Sequence, residues 1–89
     1  MNPKRKQLKD GTRYIGQVLN GIPEGKGIEY YHSGDRYEGD WRNEKKEGKG
    51  IYYWNNGDRS MGDYHNGQRI RKHVTLTRDG IVKEKIFKI

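Results

Sequence analysis

The stretch Tyr37-Glu38-Gly39-Asp40-Trp41-Arg42-Asn43, followed by Gly48-Lys49-Gly50 and closed by Asn56-Gly57-Asp58, decides the fold. Its glycines recur at a fixed step. Gly11, Gly34, Gly57 and Gly80 are 23 residues apart, as are Gly16, Gly39 and Gly62, and Gly25 and Gly27 return as Gly48 and Gly50. Tyr14 and Tyr37, Trp41 and Tyr64, and Asn20, Asn43 and Asn66 keep the same step. A constant period of this length is the mark of a repeat architecture.

The glycines at the head of each period follow turn formers: Asp10-Gly11, Ser33-Gly34, Asn56-Gly57 and Asp79-Gly80. Such dipeptides supply the positive φ that hairpin turns require. A second turn lies inside each period at Asn20-Gly21, Asn43-Glu44 and Asn66-Gly67. Two turns per period leave room for two strands of about six residues and none for a helix. The reading is an all-β, single-layer antiparallel meander of consecutive hairpins, an elongated twisted sheet. Strands are expected near 12–19, 26–31, 35–42, 49–54, 58–65, 70–77 and 81–87. Repeats fall near 11–33, 34–56 and 57–79, within a sheet over residues 10–80. Residues 1–9 read as a basic tail and 81–89 as a terminal basic strand or tail.

Alternation along a strand assigns the faces. Tyr37, Gly39 and Trp41 share one face, while Glu38, Asp40 and Arg42 point to the other. Pairing Arg42 with Lys49 would set Trp41 opposite Gly50, Gly39 opposite Tyr52 and Tyr37 opposite Trp54. In that register each glycine leaves a notch for an opposing ring.

The Tyr37-to-Asn43 segment with its Gly48-Lys49-Gly50 and Asn56-Gly57-Asp58 resembles the MORN (membrane occupation and recognition nexus) repeat. Residues 14–35 form a second copy, with Tyr14-Ile15-Gly16 and Gly25-Lys26-Gly27. A third copy keeps Gly62, Tyr64 and Asn66-Gly67 but has Ser60 for the opening tyrosine and Arg71 and His73 for the two glycines. It is therefore read as degenerate. The resemblance covers roughly residues 10–80. It implies a twisted sheet with an aromatic groove, used for protein docking or self-association, for cytoskeletal or ciliary scaffolds, or for acidic phospholipids.

Composition limits the alternatives. Only 29% of residues are hydrophobic and 35% are charged, which is lean for a two-layer globule, yet ten residues are aromatic. A repeat sheet with wet faces fits better than a disordered chain. Without cysteine there is no disulfide framework or thiolate site. No 18-residue apolar run and no apolar stretch behind the basic N-terminus are present, so an intracellular, cytoplasmic protein is expected, in cytoskeletal, ciliary or membrane-peripheral surroundings. The net charge of +7 gathers at the ends: +3 over residues 1–10, zero over 11–56, and +2 in each of 57–79 and 80–89.

Seven rings, Tyr14, Tyr31, Tyr37, Trp41, Tyr52, Trp54 and Tyr64, are the candidate partner-binding groove. Each alone is adequately explained as packing between hairpins. Together they make an apolar patch of the kind that marks an interaction surface, built from the residues most often found as hot spots. The candidate contacts to acidic lipid are Lys4, Arg5, Lys6, Lys9, Arg69, Arg71 and Lys72, which could equally be solvated ends. At about 1 kcal/mol per basic residue the N-terminal four supply about 4 kcal/mol, or roughly millimolar affinity. The leading function is a non-catalytic interaction or scaffold module, binding a partner peptide or a second copy; the alternative is recruitment to acidic or phosphoinositide membranes. Nucleic acid is disfavoured because the rings lie in the neutral middle, among Glu38, Asp40, Glu44 and Glu47. His32, His65 and His73 lack zinc-ligand spacing. No nucleophile stands beside a base, and no helix follows Gly-Lys-Gly to make a phosphate loop. No enzyme activity, cofactor or metal is expected.

Overall fold

Among the described residues, eight strands follow one another in a single antiparallel sheet with the order of the chain: β1 Pro3–Gln7, β2 Arg13–Leu19, β3 Ile22–Tyr30, β4 Arg36–Arg42, β5 Lys45–Tyr53, β6 Arg59–His65, β7 Gln68–Leu76 and β8 Val82–Phe87. The computed structural model describes residues 3–7 and 11–88, with side chains for Lys4 and 11–88. The sheet measures 39 × 26 × 21 Å, and its radius of gyration of 13.3 Å exceeds the roughly 12 Å of a compact domain this long. Lysine-bearing strands β1 and β8 form its edges, a charge pattern that discourages edge-to-edge association.

Two turn designs alternate. The β2–β3, β4–β5 and β6–β7 connections are two-residue turns with both residues at positive φ: Asn20 53° and Gly21 77°, Asn43 51° and Glu44 74°, Asn66 53° and Gly67 84°. Their backbone twist matches that of the flanking strands. At the β3–β4 connection Gly34 N donates to Tyr31 O and Tyr31 N to Asp35 O, both at 3.0 Å, with Gly34 at φ 96°. The Trp54–Asp58 and Thr77–Ile81 connections repeat this pattern around Gly57 and Gly80. Here only the glycine takes positive φ; the turn former before it does not.

Three expectations need correction. The second strand of each period starts earlier than 26, 49 and 70, because the tight turn pairs residues immediately, Leu19 with Ile22, Arg42 with Lys45 and His65 with Gln68. The β4–β5 register is also different. Arg42 faces Lys45, Trp41 faces Lys46, Gly39 faces Gly50 and Tyr37 faces Tyr52. The turn fixes the start, and a bulge at Gly48, φ 73°, absorbs the surplus residues before the ladder resumes. The offset is even, so the faces keep their assignment. Finally, residues 3–7 of the expected tail form β1, pairing Lys4 with Gly16 and Lys6 with Tyr14.

The outer face carries three lanes running across the strands. Arg13, Arg36 and Arg59 alternate with Tyr30, Tyr53 and Leu76, and the Arg36 guanidinium lies 3.8 Å above the Tyr53 ring. Beside them runs a lane of Ile15, Ile28, Glu38, Ile51, Met61 and Val74. The third lane is ionic: Lys26 with Asp40, Lys49 with Asp63 at 2.8 Å, and Lys72 with Glu84 at 2.9 Å. Such exposed pairs contribute little stability.

Candidate interaction face

The inner face is organised by one ladder of rings. Trp41 meets Tyr14 and Tyr37 edge-on at 5.4 and 5.3 Å, Tyr37 meets Tyr64 at 5.0 Å, Tyr64 meets His73 at 5.2 Å, and His73 meets Phe87 at 5.3 Å. Edge-to-face contacts of this kind are worth about 0.5–1.5 kcal/mol each beyond the area they bury. Val18 packs at the other end. Val18, Trp41, Tyr64 and Phe87 are themselves 23 residues apart. Each period thus contributes one residue from the end of its first strand.

The intervening rungs explain the glycines. Tyr14 lies over Gly27 and Tyr37 over Gly50, so that a Cβ on either glycine would fall within the ring. Each hydroxyl then donates to a carbonyl three residues along its own strand, Tyr14 to Gln17 O at 2.7 Å and Tyr37 to Asp40 O at 3.1 Å. The notch is filled by a ring leaning along the strand, not by the residue directly opposite.

The third period builds the same rung from the other strand. Ser60 occupies the tyrosine position and His73 the glycine position, and the His73 ring covers Gly62. His73 Nε2 stands 2.8 Å from Asp63 O, the counterpart of Asp40 O, and so carries the proton. Tyrosine and glycine have been replaced by serine and histidine across one strand pair, and the ring remains in place. Arg71 stands where the earlier periods have Gly25 and Gly48, and keeps their left-handed backbone at φ 59°.

Residues 14–36 and 37–59 each match the MORN repeat. The chain belongs to the MORN repeat family. None of the curated proteins compared matches it. The second match ends one residue before Ser60, which replaces the opening MORN tyrosine; the two glycines of Gly-x-Gly are then replaced by Arg71 and His73. MORN repeats are interaction modules for proteins and membranes and carry no chemistry of their own. Among the described residues, no three His, Cys, Asp or Glu side chains are placed to hold a metal ion.

The seven candidate groove rings divide into two groups. Tyr14, Tyr37, Trp41 and Tyr64 form the ladder and are 0–5% exposed. Burial pushes the Tyr14 hydroxyl up to about 12, with Glu29 adding to the shift, and it drives Tyr37 and Tyr64 upward as well. Tyr31, Tyr52 and Trp54 form a second row nearer solvent. Tyr31 stacks on Tyr52 at 5.7 Å, Tyr52 leans on Trp54 at 4.6 Å, and Trp54 is 36% exposed. Asp35 accepts from the Tyr52 hydroxyl at 2.9 Å and fixes that ring. Burial, with Asp35 as a lesser cause, pushes this hydroxyl up to about 12.

The basic set is scattered. Lys4 is exposed, the Arg5 and Lys6 side chains and all of Lys9 lie outside the described residues, Arg71 reaches Asp63 at 3.4 Å, and Lys72 pairs with Glu84. Lys4 stands on the inner face at the β1 edge, opposite Gly16, and among the described side chains of this set Arg69 is the one placed against inner-face rings, its guanidinium 5.4 Å from the Trp54 ring and 5.5 Å from Phe87. Its counterpart one period earlier is Lys46, 5.3 Å from Tyr31 and 5.2 Å from Tyr37. Lys46 is missed from sequence because Glu44-Lys45-Lys46-Glu47 reads as a solvated turn. The 23-residue step to Arg69 is the signal that marks it.

Proposed function

We propose that the chain is a non-catalytic docking module that seats a segment of a partner protein on the inner-face row Tyr31, Tyr52 and Trp54. One observation carries this reading: the row is held by stacking and by Asp35, yet remains open to solvent along the face that buries the ladder. A prepositioned ring costs little entropy on binding, and three rings at roughly 2 kcal/mol each outweigh the N-terminal basic cluster. The ion pairs made by Arg71 and Lys72 favour a protein partner over an acidic membrane, since both cations already face carboxylates.

The test is capture of the native partner, with acidic liposome co-sedimentation alongside, at low and high salt. Trp54→Ala is the decisive variant, because the buried Trp41 cannot be removed without damaging the ladder. Trp54→Ala should abolish capture at both salt concentrations while circular dichroism stays unchanged. Neutralising Lys4, Arg5, Lys6 and Lys9 together should weaken capture only modestly. Liposome binding lost with the basic cluster and kept by Trp54→Ala would replace this reading with membrane recruitment. A partner that proves to be a second copy would show as a dimer in sedimentation velocity.

A further inference from the structure

The inner face holds more polar groups than the chain itself satisfies. Lys46 and Arg69 stand on adjacent hairpins, at equivalent positions, directly beside the docking row. Both are half-buried, and among the ion pairs of the described residues neither has a carboxylate partner; each rests instead against two rings. Burial holds the Lys46 ammonium below its ordinary range; Glu29 opposes this, and the Arg69 charge adds to it to a lesser extent. Two cations that Glu29 offsets only in part, in a partly desolvated place, are unfavourable for the free protein.

Two hydroxyls share the place. The oxygens of Tyr31 and Tyr64 are buried and complete no hydrogen bond within the chain. Arg69 lies close enough to Tyr64 to favour its phenolate form, and Glu29 close enough to Tyr31 to oppose it, but neither contact reaches hydrogen-bond geometry. Tyr37 links the two tyrosines: its ring meets Tyr64, itself 3% exposed, at 5.0 Å, and the Lys46 ammonium lies 5.2 Å from Tyr37 and 5.3 Å from Tyr31. Buried polar atoms are nearly always satisfied, and two hydroxyls without a hydrogen bond beside two cations and a single carboxylate, Glu29, leave room for a further acceptor.

We propose that Lys46 and Arg69, with the hydroxyls of Tyr31 and Tyr64, form a seat for one carboxylate side chain of the docked partner segment. This rests on the docking reading given above and adds the chemistry of the partner. The charge count fits a monoanion: Lys46 and Arg69 against Glu29 leave one positive charge. A lipid phosphate bearing further charge would be opposed by Glu29 and by Asp35. A guanidinium and two hydroxyls also suit the planar acceptor geometry of a carboxylate. The rings of Tyr31, Tyr52 and Trp54 beside the seat call for apolar residues next to the acidic one. The partner segment is therefore an Asp or Glu flanked by hydrophobic residues.

Because Arg69 lies against Trp54, the tryptophan reports on the seat. The probe is a synthetic peptide, Leu-Glu-Leu with blocked ends, compared with Leu-Gln-Leu, inorganic phosphate and phosphatidylserine vesicles. Binding is read by tryptophan fluorescence and by calorimetry, and native-partner capture is measured in parallel. The Glu peptide should bind at least tenfold more tightly than the Gln peptide. In Lys46→Met and Arg69→Gln that preference should vanish and partner capture should fall at least tenfold. Each variant should melt at the same temperature as the parent or higher, because an unpaired cation has been removed; a merely structural cation would lower it.

Equal affinity for the two peptides, unchanged preference in the variants, or tighter binding of phosphate or vesicles would overturn the seat. The two proposals fail separately. If Trp54→Ala loses the partner and Lys46→Met with Arg69→Gln keeps it, the docking row stands and the seat falls. If Trp54→Ala keeps the partner, the docking row falls and the seat, which rests on it, falls as well.

Discussion

Ser60→Tyr with His73→Gly would return the third period to the arrangement of the first two, and its effect can be worked out step by step. His73 is 2% exposed, between Tyr64 and Phe87. Removing that ring alone, in His73→Gly, leaves a cavity costing about 3–5 kcal/mol, with up to about 1 kcal/mol more for glycine within a strand. Ser60→Tyr alone drives a second ring into an occupied notch, at about 1–3 kcal/mol. It also removes the serine hydroxyl bonded to Thr75 Oγ1 at 2.8 Å and to Trp54 Nε1 at 3.3 Å, each worth about 1 kcal/mol. Independent effects would sum to about 6 kcal/mol or more, enough to unfold many small domains. If the tyrosine ring takes the place of the histidine ring, the double variant should stay within about 2 kcal/mol of the parent. The coupling would then be about 4 kcal/mol, far beyond the roughly 0.5 kcal/mol scatter of independent sites. Urea unfolding of the four proteins gives the answer. Additive losses, or a double variant less stable than either single one, would refute the exchange of rungs.

Two further outcomes follow from the same geometry. Arg71→Gly should raise the urea midpoint by about 0.5–1 kcal/mol of stability with an unchanged slope, because glycine accepts φ 59° freely and the exposed Asp63 ion pair is weak; a clear loss would show that the ion pair outweighs the strain. Alkali should act through the phenols. Burial pushes Tyr14 and Tyr52 up to about 12, and it raises Tyr31, Tyr37 and Tyr64 as well. A folded-state value above the unfolded one of about 10 means that stability is fully present below pH 10 and is lost as pH rises through the folded value. Phenolate absorbance should therefore be incomplete at about pH 11 and reach its maximum only as the sheet signal in circular dichroism disappears. Complete ionisation with the sheet intact would contradict the burial of these rings.

How much was legible in the sequence depends on whether the signal was local. The 23-residue step and the Asn-Gly type turns specified the meander because turn chemistry is written in adjacent residues. Tyr37, Gly39 and Trp41 specified the inner face for the same reason, since parity survives an even error in register. The register itself was not legible. It depends on how the bulge at Gly48 absorbs residues between a tight turn and the resumed ladder. Nor was the division of the seven rings, because alternation says which face a ring lies on and not how deep its neighbours bury it. The intact third rung was hidden for a related reason. The motif is recognised by residue position along the chain, whereas the notch needs only one ring from either strand, so Ser60 and His73 erase the motif and keep the contact. The outer lanes of arginine over tyrosine and of isoleucine cross six strands, and no single strand shows them.

That the ladder runs unbroken from Val18 to Phe87, through a period without the motif, is most directly tested by native-state amide hydrogen exchange resolved by residue. Deep protection follows packed, paired strands and vanishes where packing is lost. The amides of β6 and β7 that pair across the sheet, among them Met61, Val74 and Leu76, should be protected to within about tenfold of their counterparts Glu38, Ile51 and Tyr53 in the preceding period. Exchange of the third period faster by several orders of magnitude, with the first two periods still protected, would contradict a continuous ladder.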